Sequence, residues 1–266
     1  MKYVVSISGG LTSFEAWRRC LEKHGPENTI PIFADVGVVR ENGRIVSGED
    51  EDLYRFLDET EAFLGQKIIR LQSEKYKDVW GSFFGERFMG NSRIDTCSKF
   101  LKREVIRSWI AKNHPDCIWV LGYTWLERHR IEKFRSRIPN CWFPCDESPF
   151  VISEEIAEWL EERGIRRPAM YVEGFLHNNC GGFCVKGGIG QLWMLWKHRL
   201  DRYLYNEGQE ERFREEISPV TIFKKGERPI TMRALRALFE GGWVPGSATN
   251  HGCGGGCFIP EQLTLL

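Results

Sequence analysis

The 266-residue chain has no excess of either charge sign: 37 Lys and Arg stand against 37 Asp and Glu. A chain-wide electrostatic pull toward nucleic acid is thereby excluded, and any polyanion must be held by local patches. The chain also lacks an apolar run of the ~18 residues that a membrane span needs. Its opening stretch reads as a core strand rather than a signal peptide, and a cytoplasmic protein without a membrane partner is the expectation. No Gly-Lys-Ser or Gly-Lys-Thr follows its first glycine-rich loop, which excludes a Walker loop there. The third glycine of a dinucleotide fingerprint is missing too. Cysteine, by contrast, is plentiful. Nine occur, an odd number that argues against a disulfide framework and toward metal or redox chemistry.

The stretch around which the chain is organised is Lys2-Tyr3-Val4-Val5-Ser6-Ile7-Ser8-Gly9-Gly10-Leu11-Thr12-Ser13. An apolar β-branched run breaks into a Ser/Gly loop, and the loop feeds a helical pattern with Phe14, Trp17 and Leu21 on one face. Gly9 and Gly10 let backbone N–H groups approach a ligand, the hydroxyls of Ser8, Thr12 and Ser13 add donors, and the helix dipole favours negative charge. A phosphate fits there; a plain βα turn has the same local signature. Taken whole, Ser8-Gly9-Gly10-Leu11-Thr12-Ser13 resembles the pyrophosphate-binding loop of the adenine nucleotide alpha hydrolases, the PP-loop ATP pyrophosphatases. Thr12, where many members carry Asp, is similar to the branch related to phosphoadenylylsulfate (PAPS) reductase. The resemblance implies an α/β fold, a Rossmann-like doubly wound, mainly parallel sheet, with phosphates of ATP or an adenylylated nucleotide on residues 8–13.

Residues 29–34 read as a second buried strand ending at Asp35, where open α/β sheets place ligand contacts; a turn-capping Asp is the plain alternative. This position resembles the Ala-Asp-Thr-Gly element of the PAPS reductase branch, which implies a nucleotide-bordering, catalytic Asp35. Residues 40–48 read as a loop. Glu49-Asp50-Glu51-Asp52 reads as the first turn of a helix, its charge complementing the dipole rather than binding metal. A third strand is expected at residues 67–71. The aromatics Trp80, Phe83, Phe84 and Phe88 follow no clean period, and fit a closing loop or a core cluster.

Asp95-Thr96-Cys97-Ser98 opens a helix with Leu101, Val105, Trp109 and Ile110 on one side and Lys99, Lys102, Arg103 and Arg107 on the other. Cys97 falls in the first turn, where dipole and cations favour the thiolate; a structural thiol is the alternative. The segment resembles the family's Cys-x-x-x-Leu-Lys element, which implies Cys97 as a catalytic residue and Lys102 as a nucleotide contact. Reductase-type relatives carry Cys-Cys there, where this chain has Thr96-Cys97. A fourth strand is expected at residues 116–122. Gly122-Tyr123-Thr124-Trp125-Leu126-Glu127-Arg128-His129-Arg130 then resembles a Gly-x-x-x-x-Glu-x-x-Arg element near nucleotide and acceptor, implying that Glu127, His129 and Arg130 hold Mg2+ or orient phosphates. A solvated basic helix is the alternative. Cys20 and Cys117 read as packing, and Cys141 with Cys145 as a weak ligand pair.

A capped helix beginning at Ser153 stops at Gly164 and Pro168, where the composition changes. The expected division is therefore a nucleotide-binding domain over residues 1–170 and a helical, cysteine-rich metal- or cluster-binding part over residues 171–266. Asn178-Asn179-Cys180-Gly181-Gly182-Phe183-Cys184 and Asn250-His251-Gly252-Cys253-Gly254-Gly255-Gly256-Cys257 repeat one layout, a Cys-x-x-x-Cys pair filled with glycine and preceded by His (His177, His251). Glycine lets amide N–H groups turn toward thiolates, and the four thiolates of Cys180, Cys184, Cys253 and Cys257 suit tetrahedral zinc or a cubane cluster, with a redox-active thiol pair or inert thiols as the alternatives. The stretch also resembles phage and bacterial PAPS-reductase-like proteins. The resemblance favours a 4Fe-4S cluster over Zn2+, with Cys97 an alternative third ligand beside Cys180 and Cys184.

The function implied is ATP-dependent adenylylation with pyrophosphate release, coupled to sulfur transfer onto a nucleic acid (tRNA or DNA) or a base. ATP, Mg2+ and the cluster are the cofactors, a cysteine desulfurase the sulfur donor, and a homodimer the expected assembly. One rival is a sulfonucleotide reductase, although the Glu-Cys-Gly-x-His element it needs does not occur in the sequence. The other is a zinc-stabilised nucleotide- or nucleic-acid-binding module without turnover, in which local basic patches and tryptophans make the contacts.

Overall fold

The computed structural model describes residues 1–246. The opening apolar run forms β1 (Tyr3–Ile7), and α1 (Leu11–His24) follows the Ser/Gly loop. The chain continues through β2 (Thr29–Asp35), a hairpin of β3 (Val38–Glu41) and β4 (Arg44–Gly48), α2 (Glu51–Leu64), β5 (Ile69–Gln72) and α3 (Val79–Glu86). Next come α4 (Thr96–Ser98), a π-helical turn over Lys99–Arg103, α5 (Glu104–Asn113), β6 (Ile118–Leu121), α6 (Arg128–Arg135) and the short β7 (Cys141–Trp142).

Five strands form one parallel sheet in the order β5-β2-β1-β6-β7, with Val5 opposite Pro31 on one side and Val120 on the other. Both faces are covered, so the strands read as continuous apolar runs rather than as alternation. Val5, Ile7 and Phe33 pack with Ala16 and Trp17 of α1 and Leu53 and Leu57 of α2. Val4, Ile32 and Ala34 pack with Ile106 of α5 and Ile131 of α6 on the opposite face. Each such buried aliphatic side chain contributes ~1.5–3 kcal/mol. The architecture is the expected α/β one, a doubly wound parallel sheet.

Three local expectations change. Residues 40–48 are not a loop: Asn42 and Gly43, both at positive φ, make the two-residue turn that joins β3 to β4. Of the aromatics after residue 78, Trp80, Phe83 and Phe84 belong to α3, where Trp80 and Phe83 are buried core, while Phe88 lies beyond the helix and is exposed. The helix opening at residue 96 widens near its start into a π turn that carries Lys102.

Beyond β7 lie α7 (Ser153–Glu161), α8 (Ala169–Val172), α9 (Gly188–His198), α10 (Leu200–Glu216), a hairpin of β8 (Phe223–Lys225) and β9 (Arg228–Ile230), and α11 (Met232–Glu240). The last helix begins as its sequence requires, with Thr231 Oγ1 accepting the Ala234 N–H at 3.1 Å. Leu192, Leu195, Tyr203, Phe213, Met232, Leu235 and Phe239 bury their side chains together with Trp80 and Phe83 of α3. The C-terminal part is thus helical and shares a core with the segment that follows β5. Among the described residues no helix is long and apolar enough to cross a membrane.

Candidate functional site

Strand order reverses between β1 and β6: β1 leads through α1 to β2 on one side, while β6 lies on the other. Open α/β sheets bind ligands in the crevice beyond the carboxyl ends of such strands. Residues 8–13 occupy that crevice. Gly9 takes φ +74, and a Cβ on it would stand 2.7 Å from the Leu53 side chain, so glycine is required twice over. Across the reversal, Gly122 at the end of β6 lies against the first turn of α1. A Cβ there would stand 2.6 Å from the Thr12 carbonyl oxygen and 2.7 Å from Ser13 N.

The loop is organised by Ser13, whose Oγ donates to the Gly10 carbonyl at 2.8 Å and accepts the Ser8 N–H at 3.1 Å. Ser8 is exposed and Thr12 half-buried. α1 starts at Gly10 with no side-chain cap and no acidic residue in its first turn. Its first N–H groups have no intrahelical partner, so the positive end of a fourteen-residue helix is presented with the loop. Beneath the turn, Cys145 is fully buried with Sγ 3.6 Å from the Thr12 carbonyl oxygen, and burial, then Glu15, pushes its thiol up to about 12. Among the described residues neither Cys145 nor the half-buried Cys141 joins a metal-holding group. Cys20, pushed by burial to about 11, is core packing as expected.

Two other strand ends flank the loop. Asp35 closes β2, where both its oxygens accept from the Tyr54 hydroxyl, at 2.9 and 3.0 Å, and Oδ1 also accepts the Gly37 N–H at 2.8 Å. Burial, then the Asp35 charge, raises the Tyr54 pKa, so the phenol remains a donor. Beyond β6, Glu127 reaches back to the Thr124 N–H at 3.1 Å and pairs with Arg130, whose guanidinium lies 4.1 Å from the centre of the Tyr123 ring. His129 is exposed.

The third wall comes from the cysteine-bearing segment. Asn178 is buried, and its Nδ2 donates to the Gly9 carbonyl at 2.8 Å. Two residues on, the Cys180 N–H donates to Glu49 Oε2 at 2.8 Å, while Lys102 donates to Glu49 Oε1 at 3.1 Å. Cys180 takes a left-handed backbone, φ +52. Lys186 lies 3.1 Å from Asp95, next to Thr96 and Cys97 in the chain. The structure therefore brings the segments carrying Cys97, Lys102, Cys180 and Cys184 alongside the loop. Cys97 and Cys180 are half-buried and Cys184 buried. Cys253 and Cys257 lie outside the described residues. Among the described residues no three His, Cys, Asp or Glu side chains gather in a metal-holding group.

No protein-family model and no curated protein matches the chain. A solved structure similar to it is the phosphoadenylyl-sulfate (PAPS) reductase from Candida auris, in a phosphate complex. The two share 11% identity and a TM-score of 0.46, over 68% of this chain and 81% of that one.

Sequence reasoning missed Glu49 and Asn178. Glu49 reads in sequence as one of the helix-opening acids, yet Asp50 is the N-cap, accepting the Asp52 N–H, and Glu49 precedes the helix, fully buried. The one signal was its position before an Asp already able to cap. Asn178 stood beside Cys180 in the glycine-rich motif, but nothing in the sequence names Gly9 as its acceptor.

Proposed function

We propose that the chain is a nucleotide-dependent enzyme that holds the phosphates of ATP on residues 8–13 and adenylylates an acceptor oxygen, releasing pyrophosphate. The observation that carries this reading is the loop itself: an uncapped helix N-terminus, without first-turn acids, set at the strand-order reversal and packed against Gly122. The acceptor oxygen attacks the α-phosphorus, a P–O bond forms, and the α–β anhydride bond breaks with its electron pair leaving on pyrophosphate. N–H groups aimed at the phosphates stabilise the charge that develops. Adenylylation makes the acceptor oxygen a leaving group, and a sulfur nucleophile then displaces AMP. The acceptor in this reading is a nucleic acid or a base.

Asp35 and Glu127, at the ends of the strands flanking β1, and Cys97 are assigned the polar and thiol chemistry around the bound nucleotide, with Lys102 and Arg130 as phosphate-side cations. The reading extends to a thiolate-held centre, a 4Fe-4S cluster or zinc, on Cys180 and Cys184 with Cys253 and Cys257. Only Cys180 and Cys184 lie among the described residues, where no three His, Cys, Asp or Glu side chains gather in a metal-holding group.

The test is pyrophosphate release from ATP by the purified protein, with and without Ser13→Ala plus Gly10→Ala. The double substitution removes the hydroxyl that ties residues 8, 10 and 13 together and adds a methyl where phosphate must approach, and release is expected to vanish. Undiminished release sinks the loop assignment.

A further inference from the structure

The carbonyl of the Gly9–Gly10 peptide is held by a residue 169 positions away: Asn178 Nδ2 donates to it at 2.8 Å in a buried contact. A carbonyl acceptor requires the amide nitrogen at that position, which settles which way the Asn178 carboxamide points. In a trans peptide the C=O and the following N–H point in opposite directions. Fixing the Gly9 carbonyl inward on Asn178 therefore turns the Gly10 N–H outward, to the side where Ser8 Oγ lies 3.4 Å from it. Gly9, with no Cβ and φ +74, is the residue at which this peptide can rotate. Rotation would aim a carbonyl oxygen at the phosphates instead of a donor.

Asn178 is itself held at both ends. The His177 carbonyl accepts from Gln191 Nε2 at 3.3 Å, and the Cys180 N–H is fixed on Glu49. The cysteine-bearing segment thus supplies a rigid anchor to the loop.

We propose that Asn178 is a positioning residue for the nucleotide: it sets the Gly9–Gly10 peptide in the anion-accepting orientation, and phosphate affinity depends on the segment that carries Cys180 and Cys184. The role of the nucleotide rests on the function proposed above; the anchoring of the loop does not.

The experiment uses full-length protein with Asn178→Ala and Asn178→Asp, the latter preserving volume while turning the donor into an acceptor. Asn206→Ala serves as a control for the loss of a buried hydrogen bond, because Asn206 is equally buried and its bonds run to the Arg202 carbonyl and the Trp80 indole rather than to residues 8–13. Hydrogen exchange of the amides at residues 8–14 is measured without ligand, and ATP affinity by equilibrium dialysis. Both Asn178 variants are expected to exchange about tenfold faster at residues 8–14 and to bind ATP about tenfold more weakly, the effect of one lost buried hydrogen bond. Asn206→Ala is expected to lower the melting temperature without either change. Exchange at residues 8–14 that stays within roughly twofold of wild type in the Asn178 variants overturns the inference. Should Asn178→Ala not fold, Asn178→Asp carries the same measurements. A wild-type protein that does not bind ATP overturns the nucleotide reading, and the exchange result then decides the anchoring alone.

Discussion

Lys102 and Glu49 form an ion pair of 3.1 Å in which the carboxylate is buried and its second oxygen receives the Cys180 N–H at 2.8 Å. One side chain thereby joins the helix after Cys97 to the segment of Cys180. Removing it takes a buried carboxylate away from both the Cys180 N–H and the Lys102 ammonium. Glu49→Ala is expected to cost about 3 kcal/mol in urea denaturation, and Glu49→Gln, which still accepts the Cys180 N–H, clearly less. Equal losses would show that the charge pair matters and the Cys180 contact does not.

His177 gives the stability an acid limit. It is buried, its Nδ1 has no hydrogen-bond partner, and burial, then the charge of Lys102, pushes its pKa from 6.5 down to about 4. Between those values the unfolded chain takes up a proton that the folded chain refuses. This contribution is therefore full above pH 6.5 and falls as pH drops toward 4, by about 3 kcal/mol at most. Urea midpoints measured from pH 7 to 4 are expected to fall less steeply for His177→Gln than for wild type.

Gly122→Ala tests the packing of β6 against the loop. The new methyl would meet backbone atoms of Thr12 and Ser13, which cannot swing away as a side-chain tip would. A loss of about 2 kcal/mol is expected, together with weaker ATP binding. Wild-type values for both would separate the β6 end from the site.

Tyr54→Phe deletes the hydroxyl that bonds both Asp35 oxygens. Thermal melts are expected to show about 1–2 kcal/mol of destabilisation, because a buried carboxylate loses a donor. If Asp35 serves the nucleotide, pyrophosphate release changes by more than the stability loss explains.

The thiolate centre is expected to show itself in anaerobically purified protein as iron and sulfide with a brown colour. A colourless preparation with zinc and no iron replaces the cluster by the zinc alternative, and one with neither metal removes the centre.

The parallel sheet was legible because both its faces are covered. Val4, Val5, Ile7, Ile32 and Phe33 must all be apolar, and such runs ending in Ser-Gly-Gly or Asp announce strand, turn and ligand edge without any tertiary knowledge. The helix start at Thr231 was legible for a local reason, a side chain accepting an N–H of the first turn; at Asp50 the acidic run showed that a helix begins there but not which acid caps it. The β3–β4 hairpin was legible in principle from Asn42-Gly43, the turn pair that positive φ demands.

What only the tertiary structure decided are the contacts between segments far apart in the chain. That Gly9 is held by Asn178, that Glu49 serves Lys102 and Cys180 rather than a helix dipole, and that Lys186 reaches Asp95 depend on which surfaces the sheet and the C-terminal helices bring together. Periodicity and capping are set within a few residues and so are written in the local sequence. A buried donor finds its acceptor only after collapse, when leaving it unsatisfied would cost more than the hydrogen bond gains.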